Sequence, residues 1–123
     1  MFQGLRTIVY PVTDVDEGKA WYTTLIGHGP YFDQPFYVGF NIGGFELGLV
    51  PEEKRVDSEQ VVAITYWGVP DISAAYRRMM SLGAAVHAEI QDVGDGIKLA
   101  SFFDPFGNVI GIIENPHFRV EAP

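Results

Sequence analysis

The sequence contains no cysteine, few basic residues and no long apolar run. The lack of cysteine excludes disulfides, thiolate metal sites and a cysteine nucleophile, and it fits a reducing compartment. Sixteen acidic residues against eight basic ones give a net charge of -8, which repels the phosphate backbone of nucleic acids. No stretch approaches the roughly 20 apolar residues that a membrane span needs, and the N-terminus lacks the features of a signal peptide. We therefore expect a soluble, cytoplasmic protein without nucleic-acid or membrane partners.

The remaining composition is that of a globular domain. Apolar residues make up 47% of the 123 positions and charged residues 20%, a mixture that supports a packed core. This length is typical of one domain, so we assign residues 1–123 to a single domain. Nine phenylalanines, six tyrosines and two tryptophans provide enough aromatic side chains for both a core and a hydrophobic pocket.

Two segments have the pattern of amphipathic helices, near residues 14–26 and 71–82. Each begins at an aspartate, Asp14 or Asp71, whose short carboxylate can accept hydrogen bonds from the first helical turn. Apolar residues then recur at spacings of three and four, and a glycine directly follows each segment as a C-terminal cap. The chain therefore contains two similar helices of about three turns each.

An apolar, β-prone run precedes each helix and three short strands follow it. The expected strands are 8–12, 29–33, 36–42 and 45–50 in the first half, and 61–69, 85–92, 97–103 and 109–114 in the second. The last hairpins align at one constant offset, which pairs Phe40 with Phe103, Gly44 with Gly107 and Gly48 with Gly111. The chain is thus two copies of a βαβββ module, at about 5–50 and about 61–115, joined by a charged linker at 51–60.

A single module of this kind leaves one face of its sheet uncovered. Two modules can curl their sheets side by side, with the helices outside and an open cleft inside. A ligand would bind in that cleft. The predicted fold class is therefore α+β, with two βαβββ modules forming an open, curled cleft of mixed β-sheet.

Short motifs at the ends of the predicted helices and in the last predicted turn carry a resemblance to a known family. They are Val12-Thr13-Asp14, which leads into Ala20-Trp21-Tyr22; Val69-Pro70-Asp71; Leu82-Gly83-Ala84; and Asp104-Pro105-Phe106-Gly107-Asn108. In this order and at these spacings the chain resembles the vicinal oxygen chelate superfamily, which includes glyoxalase I, bleomycin-resistance proteins and extradiol dioxygenases. The resemblance covers nearly the whole chain, and it implies the paired-module fold with a small-molecule ligand.

The resemblance also implies four positions for metal ligands, on the first and the last strand of each module. In this chain these positions hold Thr7, Gly48, Ile64 and Gly111. Metal sites of this type need histidine nitrogens or carboxylates, so we expect no bound metal and no cofactor. Three histidines lie outside these positions and are assigned structural or solvent roles: His28, His87 and His117.

Glycine at both last-strand positions removes side chains and is expected to leave space at the floor of the cleft. Alternatively, Gly48 and Gly111 are glycines of bulged or twisted strands. Because side chains alternate along a strand, the sequence also predicts which residues line the cleft. The predicted ligand-binding set is Thr7, Val9, Glu46, Gly48, Ile64, Tyr66, Val109, Gly111 and Ile113. By the same alternation Glu114 and Trp67 are expected on the opposite faces of their strands.

Two functions are open for such a cleft. In the first, it binds a small aromatic or cationic molecule without a metal, because acidic charge and aromatic walls suit a planar cation. In the second, it is an enzyme of the lyase, isomerase or dioxygenase type, with Glu46 as general base and Tyr66 as acid or oxyanion donor, or with a metal bound in a non-standard way. With either function, the resemblance and the aromatic strand edges predict a homodimer.

Overall fold

A computed structural model describes residues 1, 3–52 and 63–119. The chain divides into two compact units, Met1–Val61 and Val62–Pro123. Their boundary directly follows the predicted linker at 51–60, most of which lies outside the described residues. That the two units form a single domain stays a prediction.

The first unit is a βαβββ module. Its elements are β1 (Thr7–Val12), α1 (Val15–Ile26), β2 (Phe32–Gln34), β3 (Tyr37–Ile42) and β4 (Phe45–Pro51). The strand order is β1-β4-β3-β2, in which β1 is parallel to β4 and the other neighbours are antiparallel. The chain therefore starts on one edge of the sheet, crosses to the other edge by way of α1, and returns strand by strand.

The second unit repeats this topology. Its elements are β5 (Thr65–Gly68), α2 (Ile72–Ser81), β6 (Ala85–Gly94), β7 (Ile97–Phe103) and β8 (Val109–Glu114). The strand order is β5-β8-β7-β6, again with one parallel and two antiparallel pairings. The predicted α+β class, built from two βαβββ modules, is confirmed, whereas the curled cleft that the two modules were expected to form together stays a prediction.

Aspartates begin both helices as the sequence predicts. The Asp14 carboxylate accepts a hydrogen bond from the backbone N–H of Glu17 at 3.0 Å, and the Asp71 carboxylate accepts one from Ala74 at 3.1 Å. Gly27 ends α1 with a φ of 93°, a left-handed conformation that glycine adopts without a steric penalty. The helix boundaries are thus set by local capping chemistry, which the sequence displays directly.

Each helix covers one face of its own sheet. In the first unit, the strand residues buried on the side of α1 are Tyr10, Val12, Val38, Phe40, Leu47 and Leu49. Tyr22 of α1 packs against Tyr10 with ring centroids 6.0 Å apart, and in the second unit Tyr76 of α2 lies 5.0 Å from Phe102. Because side chains alternate along a strand, the intervening residues lie on the opposite side of each sheet. We call that side the helix-free face of its unit.

Glu114 and Trp67 lie on the helix side of the second sheet, as predicted. The Glu114 carboxylate accepts a hydrogen bond from the backbone N–H of Ile72 at 3.0 Å, so it caps the first turn of α2. Trp67 is paired in register with Ile112, which is 3% exposed. Neither residue belongs to the helix-free face.

Two strands are shorter than the sequence predicts. The strand predicted at 29–33 is the three-residue β2, Phe32–Gln34, which begins only after Gly29 and Pro30, since Pro30 has no N–H to give to a ladder. The strand predicted at 61–69 is β5, and residues 61 and 62 lie outside the described part of the chain. Among the described residues, no helix has the length and apolar character needed to cross a membrane.

Candidate functional site

The helix-free face of the first unit carries a carboxylate bonded to a phenol. Glu46 of β4 lies opposite Thr7 of β1 and Asn41 of β3. The hydroxyl of Tyr37, at the start of β3, donates to Oε2 of Glu46 at 2.5 Å. Hydrogen bonds to an ionised carboxylate are short and strong, so this bond fixes the orientation of both half-buried side chains.

Tyr37 also lies over Gly48, one of the two last-strand glycines. A Cβ added to Gly48 would lie 2.6 Å from Cζ and 2.8 Å from Cε2 of Tyr37, closer than packed carbon atoms approach. The sequence predicts open space above this glycine, and that prediction is wrong because the tyrosine ring fills the space. Glycine is needed here so that an aromatic ring can lie directly on the sheet.

Three side chains converge above Gly39, the register partner of Gly48. A Cβ at Gly39 would lie 3.3 Å from Cε1 of Tyr37, 3.4 Å from Cε1 of Tyr31 and 3.5 Å from Oε1 of Glu46. We call Tyr31, Tyr37 and Glu46 the aromatic-acid cluster. Its members place two ring edges and one carboxylate oxygen around a patch of bare backbone.

Further aromatic side chains border this cluster. The ring of Phe32 meets those of Tyr37 and Phe36 edge to face, with centroids 6.1 and 6.3 Å apart. Tyr31 and Phe36 are 65% and 66% exposed. Sequence reasoning missed Tyr31 and Tyr37, although the density of aromatic residues between positions 31 and 37 was the available signal.

The second unit covers its own last-strand glycine with another tyrosine. Tyr66 of β5 pairs in register with Gly111 of β8, and its ring lies across that glycine. A Cβ at Gly111 would lie 2.7 Å from Cε1 and 2.9 Å from Cγ of Tyr66. The prediction of open space above Gly111 is therefore wrong for the same physical reason as at Gly48.

The predicted site residues fall into two groups, one in each unit. Thr7, Val9, Glu46 and Gly48 share the helix-free face of the first unit. Tyr66, Val109, Gly111 and Ile113 share that of the second unit, and Ile64 directly precedes β5. The phenol that is hydrogen-bonded to Glu46 is Tyr37, and Tyr66, the acid that the sequence predicts, belongs to the other unit.

The four positions that the resemblance assigns to metal ligands do not fit a metal in this chain. Thr7 offers a hydroxyl, Ile64 an alkyl chain, and Gly48 and Gly111 no side chain, with tyrosine rings directly above both glycines. Across residues 3–52 and 63–119, no three histidine or acidic side chains come together in the way a metal site requires. We therefore derive no chemical step through a metal.

A separate acidic pocket of about 400 Å³ lies in the first unit, near the start of α1. Its acidic lining residues are Asp14, Asp16 and Asp33. Asp14 is the cap of α1, and Asp33 forms an ion pair with Lys19 at 3.0 Å. The hydrogen bond and the charge of Asp33 raise the pKa of Lys19 above its usual value. At least two of the three carboxylates thus already have structural partners.

A family model, that of the glyoxalase/bleomycin resistance protein/dioxygenase superfamily, matches residues 4–112. The chain belongs to this superfamily. No curated protein matches the sequence significantly. The vicinal oxygen chelate resemblance read from the motifs is thereby confirmed.

Solved structures of the superfamily share the fold of this chain. A glyoxalase-related enzyme from Fulvimarina pelagi superimposes with a TM-score of 0.77 at 18% identity, over 98% of this chain and 94% of that one. A lactoylglutathione lyase from Agrobacterium tumefaciens gives 0.72 at 19% identity, over 92% and 94% of the two chains. A glyoxalase/bleomycin resistance protein from Catenulispora acidiphila gives 0.67 at 22% identity, over 92% and 100%. At these identities the likeness concerns the fold alone.

Proposed function

We propose that this member of the superfamily binds a small, planar, cationic molecule without a metal, on the helix-free face of its first unit. The observation that carries the proposal is the aromatic-acid cluster above Gly39. Its two phenol rings and one carboxylate supply the groups that attract an organic cation, through cation–π contact and direct charge. The net charge of -8 adds long-range attraction for the same kind of ligand.

The packing of Tyr37 supports binding by a site that is already formed. Its ring is held between Gly48, Gly39 and Phe32, and its hydroxyl is bonded to Glu46. Because the ring and the carboxylate are already fixed, less free energy is spent on ordering the protein when a ligand binds. The exposed edge of Tyr31 leaves the cluster open on one side, where a planar ligand can stack.

The experiment uses two probes of the same shape and different charge. N-methylquinolinium carries a fixed positive charge, and 1-methylnaphthalene is its uncharged isostere. We expect the protein to bind the cation more tightly, and Glu46→Gln to weaken that binding about tenfold, which corresponds to about 1.4 kcal/mol. Isothermal titration calorimetry measures both affinities.

Glu17→Gln is the matched control, because it removes the same charge from the exposed surface of α1. It should leave both affinities unchanged apart from a small effect of net charge. Equal affinity of the wild-type protein for the two probes would refute the proposal. So would a Glu46→Gln variant that weakens both probes to the same extent.

A second candidate function is proton transfer, with Glu46 as general base. With Oε2 bonded to the Tyr37 hydroxyl, Oε1 faces the backbone of Gly39 and is the oxygen available to a substrate proton. Once Glu46 has taken the proton, the Tyr37 hydroxyl would turn from Oε2 and donate its one hydrogen bond to the oxygen on which negative charge develops. Deuterium exchange at the α-carbon of cyclohexanone, followed by NMR, tests this function. The rate should fall to the uncatalysed value in Glu46→Gln.

We further propose that the protein is a cytoplasmic homodimer. Large aromatic side chains such as Phe36 and Phe45 are 66% and 46% exposed in the isolated chain, a cost that burial against a second copy would remove. The absence of cysteine supports a reducing compartment. Sedimentation equilibrium at micromolar concentration should give twice the mass of the chain, and a monomeric mass would contradict the assembly.

A further inference from the structure

The helix-free face of the second unit presents a histidine that neither proposed function uses. His87 lies in β6 at a β-bulge: Val86 pairs with Phe102 and Ala88 pairs with Ser101, so His87 is the extra residue between them. A bulge bends its strand and turns a side chain in a new direction, and bulges of this kind are common beside active sites. Alternation from Ala85 and Val86 directs His87 to the helix-free face, and the bulge brings Ala88 opposite Ser101 as well.

Two neighbours on β7 hold the imidazole in place. Its Nδ1 lies 2.7 Å from the hydroxyl oxygen of Ser101, a residue that is 2% exposed. The ring of Phe103 meets the imidazole edge to face, with centroids 5.0 Å apart and an interplanar angle of 87°. His87 itself is exposed, and its Nε2 has no hydrogen-bond partner among residues 3–52 and 63–119. One nitrogen is thus fixed by the protein, and the other is available to a ligand.

The serine partner determines what that free nitrogen can do. A hydroxyl can donate to a neutral imidazole or accept from a protonated one, so the Ser101 bond persists in both states. A carboxylate in the place of Ser101 would favour the charged imidazole. Nε2 of His87 can therefore either accept a proton from a ligand or donate one to it, without disturbing its support.

The described residues that β5, β7 and β8 place on the helix-free face of this unit are uncharged, and the nearest charged residue along β6 is Glu89, within a second register shift between Ala88 and Gln91. The apolar and aromatic side chains that the other strands place on this face are Tyr66, Leu99, Phe103, Val109 and Ile113, of which Phe103 contacts the imidazole. The charged residues of the neighbouring strands, Lys98 and Glu114, are register partners of each other on the helix side. A ligand that matches this surface is apolar and carries its one polar group opposite Nε2 of His87.

We propose that His87, positioned by Ser101, binds the acidic oxygen of an aromatic carboxylic acid or phenol on the helix-free face of the second unit. The apolar side chains of this face pack against the ring of the ligand. The imidazole forms a hydrogen bond with the acidic oxygen of the ligand, and this bond is charge-assisted when the proton has moved to Nε2. Ser101 acts only through His87, so it is a positioning residue. The site involves no residue of the aromatic-acid cluster, so it stands or falls independently of the cation site.

Three probes of one shape test the proposal: 2-naphthoate, 2-naphthol and 2-naphthamide. The chain has three histidines, so NMR of histidine-labelled protein gives three ring signals to follow. We expect naphthoate, naphthol or both to shift the signal of His87 on titration, and the uncharged amide to leave it in place. A response to naphthoate alone identifies a carboxylic acid as the ligand class, and a response to naphthol alone identifies a phenol.

Substitutions then separate binding from positioning. His87→Gln should weaken binding of the responding probe at least tenfold, while His28→Gln and His117→Gln, at exposed positions elsewhere, should have no effect. Ser101→Ala should weaken binding at least threefold, and Ser101→Thr, which keeps the hydroxyl, should restore it. Circular dichroism checks that each variant is folded, and His87→Asn serves as a second replacement.

Three results would overturn the proposal. The first is that none of the probes binds the wild-type protein. The second is that the amide binds as tightly as the acids. The third is that His87→Gln and His87→Asn bind the acids as the wild-type protein does.

Discussion

In the first unit a tyrosine from β3 covers the last-strand glycine, whereas in the second unit the tyrosine comes from β5. Tyr37 reaches Gly48 from the antiparallel neighbour of β4, and Tyr66 reaches Gly111 from the parallel neighbour of β8. In the first unit, Gly48 pairs in register with Val9 on the parallel strand β1. Val9 thus occupies the position that Tyr66 has in the second unit. The two units therefore share the covered glycine and differ in the residue that covers it.

The chemistry around the covered glycines differs as well. The first helix-free face has the Glu46 carboxylate, bonded to Tyr37, and the second has the His87 imidazole, bonded to Ser101. The same topology thus carries a hydrogen-bonded carboxylate in one copy and a hydrogen-bonded imidazole in the other. What the repeat preserves is the packing of a ring on a glycine, and the polar groups beside the ring are particular to each unit.

The largest expected difference between the units lies in their last turns. Asp104 is 4% exposed and accepts hydrogen bonds from the backbone N–H groups of Phe106 and Asn108 at 2.9 and 2.7 Å, and from the Asn108 side chain at 2.8 Å. Its repeat mate Asn41 is exposed and accepts one such bond, from Gly44 at 2.9 Å. Asp104→Ala leaves several buried donors unpaired and should lower the free energy of unfolding by about 3 kcal/mol.

Asn41→Ala is the matched change in the first unit and should cost about 1 kcal/mol or less, because water can replace the lost acceptor. Urea denaturation of both variants measures the difference. Similar decreases in the free energy of unfolding for the two substitutions would show that burial of the turn at Asp104 adds nothing to the stability.

The covered glycines should also respond unequally to an added methyl group. At Gly111 the methyl would meet Tyr66 at Cγ, close to its backbone, whereas at Gly48 it would meet the far end of the Tyr37 ring. The Tyr37 ring can swing aside, but Tyr66 has to change its χ1 rotamer. We expect Gly111→Ala to lower the free energy of unfolding by about 2 kcal/mol and Gly48→Ala to lower it by about 1 kcal/mol, within the range for overpacking. Urea denaturation again gives both values.

A second substitution separates ring contact from backbone strain. If the ring is the obstacle, Tyr66→Ala should remove most of the penalty of Gly111→Ala when the two are combined. Additive costs in the double variant would mean that Gly111 is required for its backbone conformation and not for ring packing.

The local features of this fold were predictable from the sequence, but the contacts across strands were not. Asp14 and Asp71 identify both helices because capping depends on neighbours three residues away. Alternation along β4 placed Glu46 and Gly48 on one face, as found. The Tyr37–Glu46 bond depends on how β3 pairs with β4, and a shift of one residue in that register would separate the two side chains.

The contacts of His87 could not be predicted for a related reason. Alternation from Ala85 and Val86 puts His87 on the helix-free face, but its contact with Ser101 depends on how β6 pairs with β7. The extra residue in β6 becomes visible only when Val86 and Ala88 are paired with their partners on β7. Sequence reasoning therefore assigned His87 a structural or solvent role.

Removal of single hydroxyl groups gives a smaller comparison of the two tyrosines. Tyr37→Phe loses the hydrogen bond to Glu46 and should cost about 1 kcal/mol. The hydroxyl of Tyr66 makes no hydrogen bond in the described part of the chain, so Tyr66→Phe should change the free energy of unfolding by no more than a few tenths of a kcal/mol. Equal effects would contradict the claim that only the first ring is tied to a carboxylate.

The smallest expected effect, none at all, concerns metal removal, and it applies to both units alike. A ligand set of one threonine, one isoleucine and two glycines supplies no nitrogen or carboxylate to zinc, manganese, nickel or iron. Protein purified without a histidine tag should therefore contain less than one metal ion per chain by elemental analysis. EDTA should leave its thermal midpoint unchanged, because a ligand that is not bound cannot stabilise the folded state. One metal ion per chain, lost on chelation together with several degrees of thermal stability, would require donors outside the four expected positions and would contradict the metal-free function proposed for both faces.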